Sequence, residues 1–217
     1  MHRSVALVVT AVAVVAGVMV SEAHDPTPAR SPAGAASVPV SGRLADVRVA
    51  PAGSMSGYSR AQFGHGWASV GHGCTTRDQI LVRDSTDQPG ESDGGLRGGC
   101  YPLNPHLLDP YTGRWLDGRL AIQIDHIVPE AVAWRSGAVG WSAAERERFA
   151  NDPTELVAVG GSGLYGNEAK GDSTPDEWQP QTWHCGYAER YVAVLVSYRL
   201  TVTPAARDAL AGMLGQC

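Results

Sequence analysis

Residues 123–130 read Gln123-Ile124-Asp125-His126-Ile127-Val128-Pro129-Glu130, and they decide how the chain is interpreted. Apolar and polar residues alternate early in residues 120–128, the period-two pattern of a half-buried strand. Pro129 cannot donate to a ladder but suits the first turn of a helix, and residues 130–135 have the composition to continue one. An acid and an imidazole therefore sit side by side where a strand stops. Adjacent residues of a flat strand point to opposite faces. A pocket shared by Asp125 and His126 then requires the strand to end or bend between them. The plain reading is a solvated strand end; the sharper one is a metal ligand beside a general base.

Working outward, residues 156–159 (LVAV) form a second short strand, and residues 58–67 a short helix entering a loop. Thr75-Thr76-Arg77-Asp78 reads as a capped helix start, Ser142 caps a helix through Phe149, and Pro204 opens a last helix to Leu214. Residues 187–200 have helical apolar spacing, Pro110-Tyr111-Thr112-Gly113 is a turn, and residues 87–99 are a loop without apolar period. The mixture predicts an α+β fold with a small β element among helices. Trp134, Trp141, Trp178 and Trp183 are core candidates, and Arg146 and Arg148 read as a solvated helix face.

Met1-His2-Arg3 precedes an apolar run over residues 5–20 and the small residues of Ser21-Glu22-Ala23. That is the pattern of a secretory signal over residues 1–23. Residues 24–50 are rich in Pro, Ala, Ser and Gly and read as a flexible linker, although Leu44-Ala45-Asp46-Val47-Arg48-Val49 has a weak strand pattern. Residues 51–217 remain for one domain with a single core. The expected product is secreted, monomeric and, after cleavage, free of the membrane. Its cysteines are Cys74, Cys100, Cys185 and Cys217, an even number that reads as two disulfides in an exported chain. Three pairings are open. Local loops favour Cys74–Cys100 and Cys185–Cys217. The net charge of −5 excludes binding to nucleic acid through bulk positive charge, but not a local basic or metal-bearing cleft.

The chemistry lies in Asp125-His126 together with Asn167-Glu168-Ala169-Lys170-Gly171-Asp172. A carboxylate and an amide oxygen are hard ligands suited to Mg²⁺, which takes few protein ligands and keeps several waters. An imidazole can take a proton from water at neutral pH. An activated water, with a cation on the oxygen that develops charge, is what phosphodiester hydrolysis needs.

These residues resemble the HNH, or ββα-metal (His-Me finger), nucleases. The similarity is greater to the exported actinobacterial type related to the C-terminal nuclease domain of GmrSD modification-dependent restriction enzymes. It is carried by Asp125-His126-Ile127-Val128-Pro129, Ala133-Trp134, Phe149-Ala150-Asn151-Asp152-Pro153, Leu156-Val157-Ala158-Val159 and Asn167 through Asp172. Upstream, Tyr58, Arg60, Phe63-Gly64, Trp67 and Gly73-Cys74-Thr75-Thr76-Arg77 also fit. The resemblance implies a ββα-metal core embedded in further helices and stabilised by disulfides. It implies His126 as general base, Asp125 and Asn167 as metal ligands, and Lys170 reaching a phosphate. Where the family carries Asn before the second strand, to pin the loop behind the base, this chain has Glu155; Asn151 is the nearest substitute. Arg77 and Arg83 are phosphate-contact candidates, or members of a structural network with Asp78 and Asp84.

The expected function is a secreted endonuclease using Mg²⁺, with Mn²⁺ as the alternative ion. It hydrolyses DNA with low sequence specificity, RNA being left open as a second substrate. The rival is a catalytically impaired protein of the same fold that binds nucleic acid or another extracellular ligand.

Overall fold

The computed structural model describes residues 44–86, 100 and 105–217. The expected signal segment, linker residues 24–43 and the loop over 87–99 lie outside the described residues. A 3-10 turn (Leu44–Asp46) and a two-residue strand, β1 (Arg48–Val49), open the described chain. β1 pairs in parallel with Thr201–Val202 near the other end, and Val47 is buried in the main core. Residues 44–50, expected to close the linker, are thus packed into the domain.

A 3-10 turn (Arg60–Phe63) precedes an antiparallel pair, β2 (Ser69–Gly71) and β3 (Cys74–Thr75). Helix α1 (Thr76–Asp84) starts where Thr75 caps it: Asp78 Oδ2 accepts from the Thr75 backbone N–H at 2.9 Å and its hydroxyl at 2.7 Å. β4 (His106–Leu108) and β5 (Trp115–Asp117) form a hairpin across the turn that carries residues 110–113.

β6 (Ile122–His126) then leads through Pro129 into α2 (Glu130–Arg135) and a 3-10 turn (Ala138–Gly140). After α3 (Ala143–Ala150), capped by Ser142, the chain returns as β7 (Leu156–Gly160). β7 pairs antiparallel with β6, in register from Ile122↔Gly160 to His126↔Leu156. A single-turn helix α4 (Asn167–Lys170) follows, then α5 (His184–Ser197), β8 (Thr201–Val202) and α6 (Pro204–Leu214). Helix α5 begins earlier than its apolar spacing predicts, directly after Trp183, which takes a left-handed conformation.

Two apolar clusters lie around the β6–β7 pair. Ile122, Ile124, Leu156 and Ala158 pack with Ile80, Leu81 and Leu107. Val157 and Val159 join the larger cluster of Tyr111, Trp134, Phe149, Trp178 and the inner residues of α5 and α6. Alternate β7 residues thus feed opposite cores, as the two-residue strand period requires. The disulfides are Cys74–Cys100 and Cys185–Cys217. The first ties down β3 ahead of α1, and the second ties the start of α5 to the chain end. The protein is a mixed helix-and-strand domain with two disulfides. Among the described residues no helix is long and apolar enough to cross a membrane.

Candidate functional site

A cleft of about 740 Å³ is lined by four successive β6 residues, Gln123 to His126. Opposite are residues of the 60–67 segment, with Pro129, Glu130 and the α4 region. In the described structure β6 pairs only with β7, so its other edge is free of strand partners. Residues pointing to opposite faces of a strand can both reach a cleft that runs along its edge. That removes the geometric difficulty read from the sequence. Asp125 and His126 both line the cleft although the β6–β7 register continues through His126.

Asp125 is 5% exposed and anchored from the core side. The Tyr111 hydroxyl donates to its Oδ2 at 2.5 Å, and Lys170 Nζ lies 3.1 Å from Oδ1 and 3.0 Å from Oδ2. The same ammonium donates to the His126 carbonyl at 2.7 Å. Burial and the neighbouring Asp125 charge push the Tyr111 hydroxyl well above its ordinary pKa, so it remains a donor. Lys170 is only 1% exposed. It faces away from the cleft and serves the two residues behind it.

His126 is fixed through Nε2, which lies 3.0 Å from the Ala150 carbonyl. A carbonyl only accepts, so Nε2 carries the proton and the lone pair is on Nδ1. The ring lies nearly parallel to Trp67 and to Phe149, at 11° to each. Burial lowers the His126 pKa to about 4, against the opposing pull of the Ala150 bond and Asp125. The imidazole is therefore neutral at pH 7 and able to accept a proton.

The loop after His126 hangs on Glu155. Ile127 N–H donates to the Glu155 backbone carbonyl, and Val128 N–H to its side-chain Oε1, each at 2.8 Å. Glu155 is fully buried, and burial holds its carboxyl well above the usual range. The residue there extends the ladder ahead of the start of β7. It secures the loop by accepting. Asn151 instead accepts from Ala68 N–H at 2.7 Å and donates to the Glu147 carbonyl at 3.1 Å, tying the segment after Trp67 to α3.

On the cleft rim, Asn167 Nδ2 donates to Gln123 Oε1 at 2.8 Å, and Gln123 Nε2 donates to Glu168 Oε1 at 2.9 Å. Glu130 Oε1 stands 3.8 Å from His126 Nε2. Burial, with Asp172 adding to it against the pull of Arg60, raises the Glu130 pKa to about 7. Arg60 supplies the guanidinium among the lining residues.

The structure thus brings Asp125, His126 and Asn167 to one cleft, while Lys170, Glu155, Arg77 and Arg83 lie outside its lining. Arg77 donates to the Ile122 carbonyl at 2.9 Å. Arg83 pairs with Asp84 and donates to the carbonyls of Pro153 and Leu156. Arg83 thus pairs with Asp84 as the structural-network alternative has it, and Arg77 is bound to backbone. Arg146, read as solvated, is buried and binds Gln62, Ala138 and Trp141, which backs the 3-10 turn that presents Arg60. Sequence reasoning gave no role to Gln123 or Glu130. The signals were present, because Gln123 is two residues before Asp125 on a strand and Glu130 is four after His126 at a helix start.

The donor set suits a hard divalent cation. Asp125 retains lone pairs beyond its two anchors, and the Asn167 amide oxygen accepts no hydrogen bond among the described residues. Lys170 already balances the Asp125 charge, so Asp125 would bring an oxygen ligand but little net attraction. No group of three or more His, Cys, Asp or Glu is placed to hold a metal among the described residues. The set is therefore open, as for an ion that keeps several waters, and unlike a closed thiolate or imidazole site.

Residues 75–213 match the family described as GmrSD restriction endonucleases, C-terminal domain. An uncharacterized secreted protein of Arthroderma benhamiae is 34% identical over 204 residues, covering 92% of this chain and 94% of that protein. No solved structure matches the chain. The protein belongs to the family of GmrSD restriction endonuclease C-terminal domains.

Proposed function

We propose that the protein is a secreted, metal-dependent endonuclease of HNH type. It hydrolyses phosphodiester bonds of DNA with low sequence specificity. On this reading β6, β7 and α4 form a ββα-metal core, with α2 and α3 inserted between its strands. The observation that carries the proposal is the convergence of a neutral, tautomer-fixed His126 with Asp125 and Asn167 on one cleft. Family membership supports the endonuclease class, and the relative's description as secreted supports export.

His126 Nδ1 takes the proton from a water molecule as that water attacks phosphorus. The bond to Ala150 holds the imidazole in place during the transfer, and the flanking Trp67 and Phe149 rings limit its rotation. Asp125 and Asn167 would hold Mg²⁺ or Mn²⁺, which when bound stabilises charge on the departing 3′ oxygen. Arg60 is the residue placed to meet a non-bridging phosphate oxygen. The products are a 5′-phosphate and a 3′-hydroxyl.

The test is nicking of supercoiled plasmid by the purified disulfide-bonded protein with Mg²⁺, with and without EDTA, beside His126→Ala. Nicking should need the ion, and the variant should lose about 10²–10⁴-fold in rate. Equal nicking by the variant would refute the mechanism. DNA binding without cleavage under any divalent ion would favour a catalytically impaired binding protein.

A further inference from the structure

We infer that Gln123 and Glu168 are positioning residues that turn the Asn167 amide oxygen toward the cation. This inference rests on the proposed metal site. An amide can rotate its oxygen and nitrogen into each other's places, and only its neighbours decide which one faces the cleft. Here the decision starts at Glu168, whose Oε1 is the acceptor in its bond with Gln123. It takes a hydrogen bond from Gln123 Nε2 at 2.9 Å, so Gln123 must turn its oxygen the other way, toward Asn167. Asn167 then answers with Nδ2 at 2.8 Å. Its remaining polar atom, the oxygen, is the one left for the cleft that all three residues line.

A second observation supports the relay. A Cβ built on Gly161 would come within 2.3 Å of Gln123 Nε2 and 3.1 Å of Glu168 Oε1. The backbone of Gly161 also accepts from Glu168 N–H at 3.0 Å. The glycine leaves the space in which the Gln123 carboxamide lies against the chain leading to α4. The Gly-rich return after β7 therefore places Glu168 and makes room for Gln123.

Ligand-orienting partners of this kind are worth about ten- to a hundredfold in metal affinity. Mn²⁺ binding to the purified disulfide-bonded protein, followed by titration calorimetry, separates the possibilities. Gln123→Leu, Glu168→Leu and Gly161→Ala should each weaken Mn²⁺ by about tenfold. Glu168 is exposed, so its substitution leaves the core untouched. In an Asn167→Ala background, Gln123→Leu should have no further effect, because no amide remains to orient. Unchanged Mn²⁺ affinity in Gln123→Leu, or the same loss with and without Asn167, overturns the relay alone. A wild-type protein that binds no Mn²⁺ overturns the relay and the cation reading together.

Discussion

Asn167 and Lys170 are the first and last residues of one helical turn, yet they serve opposite sides of the site. Asn167 is half-buried and meets the cleft through the rim chain of Gln123 and Glu168. Lys170 is sealed behind β6, its charge spent on Asp125 and on the His126 carbonyl. The contrast separates two kinds of polar contact. Behind the strand, buried charges are paired, and removing one strands its partner in a low-dielectric interior. At the rim, partners remain in reach of water, so a lost contact costs orientation more than stability.

Lys170→Met attacks the buried side and carries the largest expected effect. Asp125 would be left in a buried site without its cationic partner, held by Tyr111 alone, at a cost of about 3–5 kcal/mol in urea unfolding. Adding Asp125→Asn should recover part of that loss. Preserved stability in Lys170→Met would mean the ammonium is not the partner that makes Asp125 tolerable.

Arg83→Ala belongs on the same side. Its guanidinium supports the carbonyls of Pro153 and Leu156 beside Asp84, so the expected loss is about 2 kcal/mol of stability, with KM for DNA unchanged. A raised KM at full stability would return Arg83 to phosphate binding.

Arg60→Ala probes the rim, with little expected change in melting temperature. Its signature is weaker DNA binding and a slope of log K against log salt that falls by about 0.9, one phosphate contact. An unaltered salt slope would remove Arg60 from the substrate.

Glu130→Gln is the smallest effect and concerns pH. The folded-state pKa of Glu130 is raised from 4.5 to about 7. Its contribution to stability is therefore complete below 4.5 and is lost as pH rises through about 7. His126 works in the other direction. Its lowered pKa, from 6.5 to about 4, gives a contribution present above 6.5 and lost as pH falls toward 4. The two contributions oppose each other across pH 4 to 7, so melting temperature should rise more steeply with pH in Glu130→Gln than in wild type, and should lose its rise, or fall, in His126→Ala. Parallel curves for wild type and Glu130→Gln would remove the carboxyl from the buried set.

Local signals were legible where local physics decides. The caps at Thr75 and Ser142, the helix opened by Pro204 and the strands within residues 120–128 and at 156–159 all follow from short-range patterns, and all form. Of the site, Asp125, His126 and Asn167 could be picked out as chemistry-bearing residues, and the fold gathers them. Burial of ionisable groups was not legible. Nothing within a few residues of Lys170, Glu155 or Arg146 says that each will be shut away from water. Their partners are tens of residues distant in sequence and meet them only in the tertiary structure. The free edge of β6 was hidden for the same reason, since a strand's edge status is a property of the sheet.

The long excursion between β6 and β7 has a consequence for how late the site is assembled. Pairing the strands closes a loop that contains α2 and α3, a non-local closure that costs chain entropy before any contact rewards it. Asn167 and Lys170 come later still in the chain. A chain that ends after Asp125 and His126 carries an acid without its buried counter-charge and an imidazole without the Ala150 carbonyl that fixes it. On the proposed reading, hydrolytic competence would come only with the packed fold, once Asn167 and Lys170 have joined Asp125 and His126.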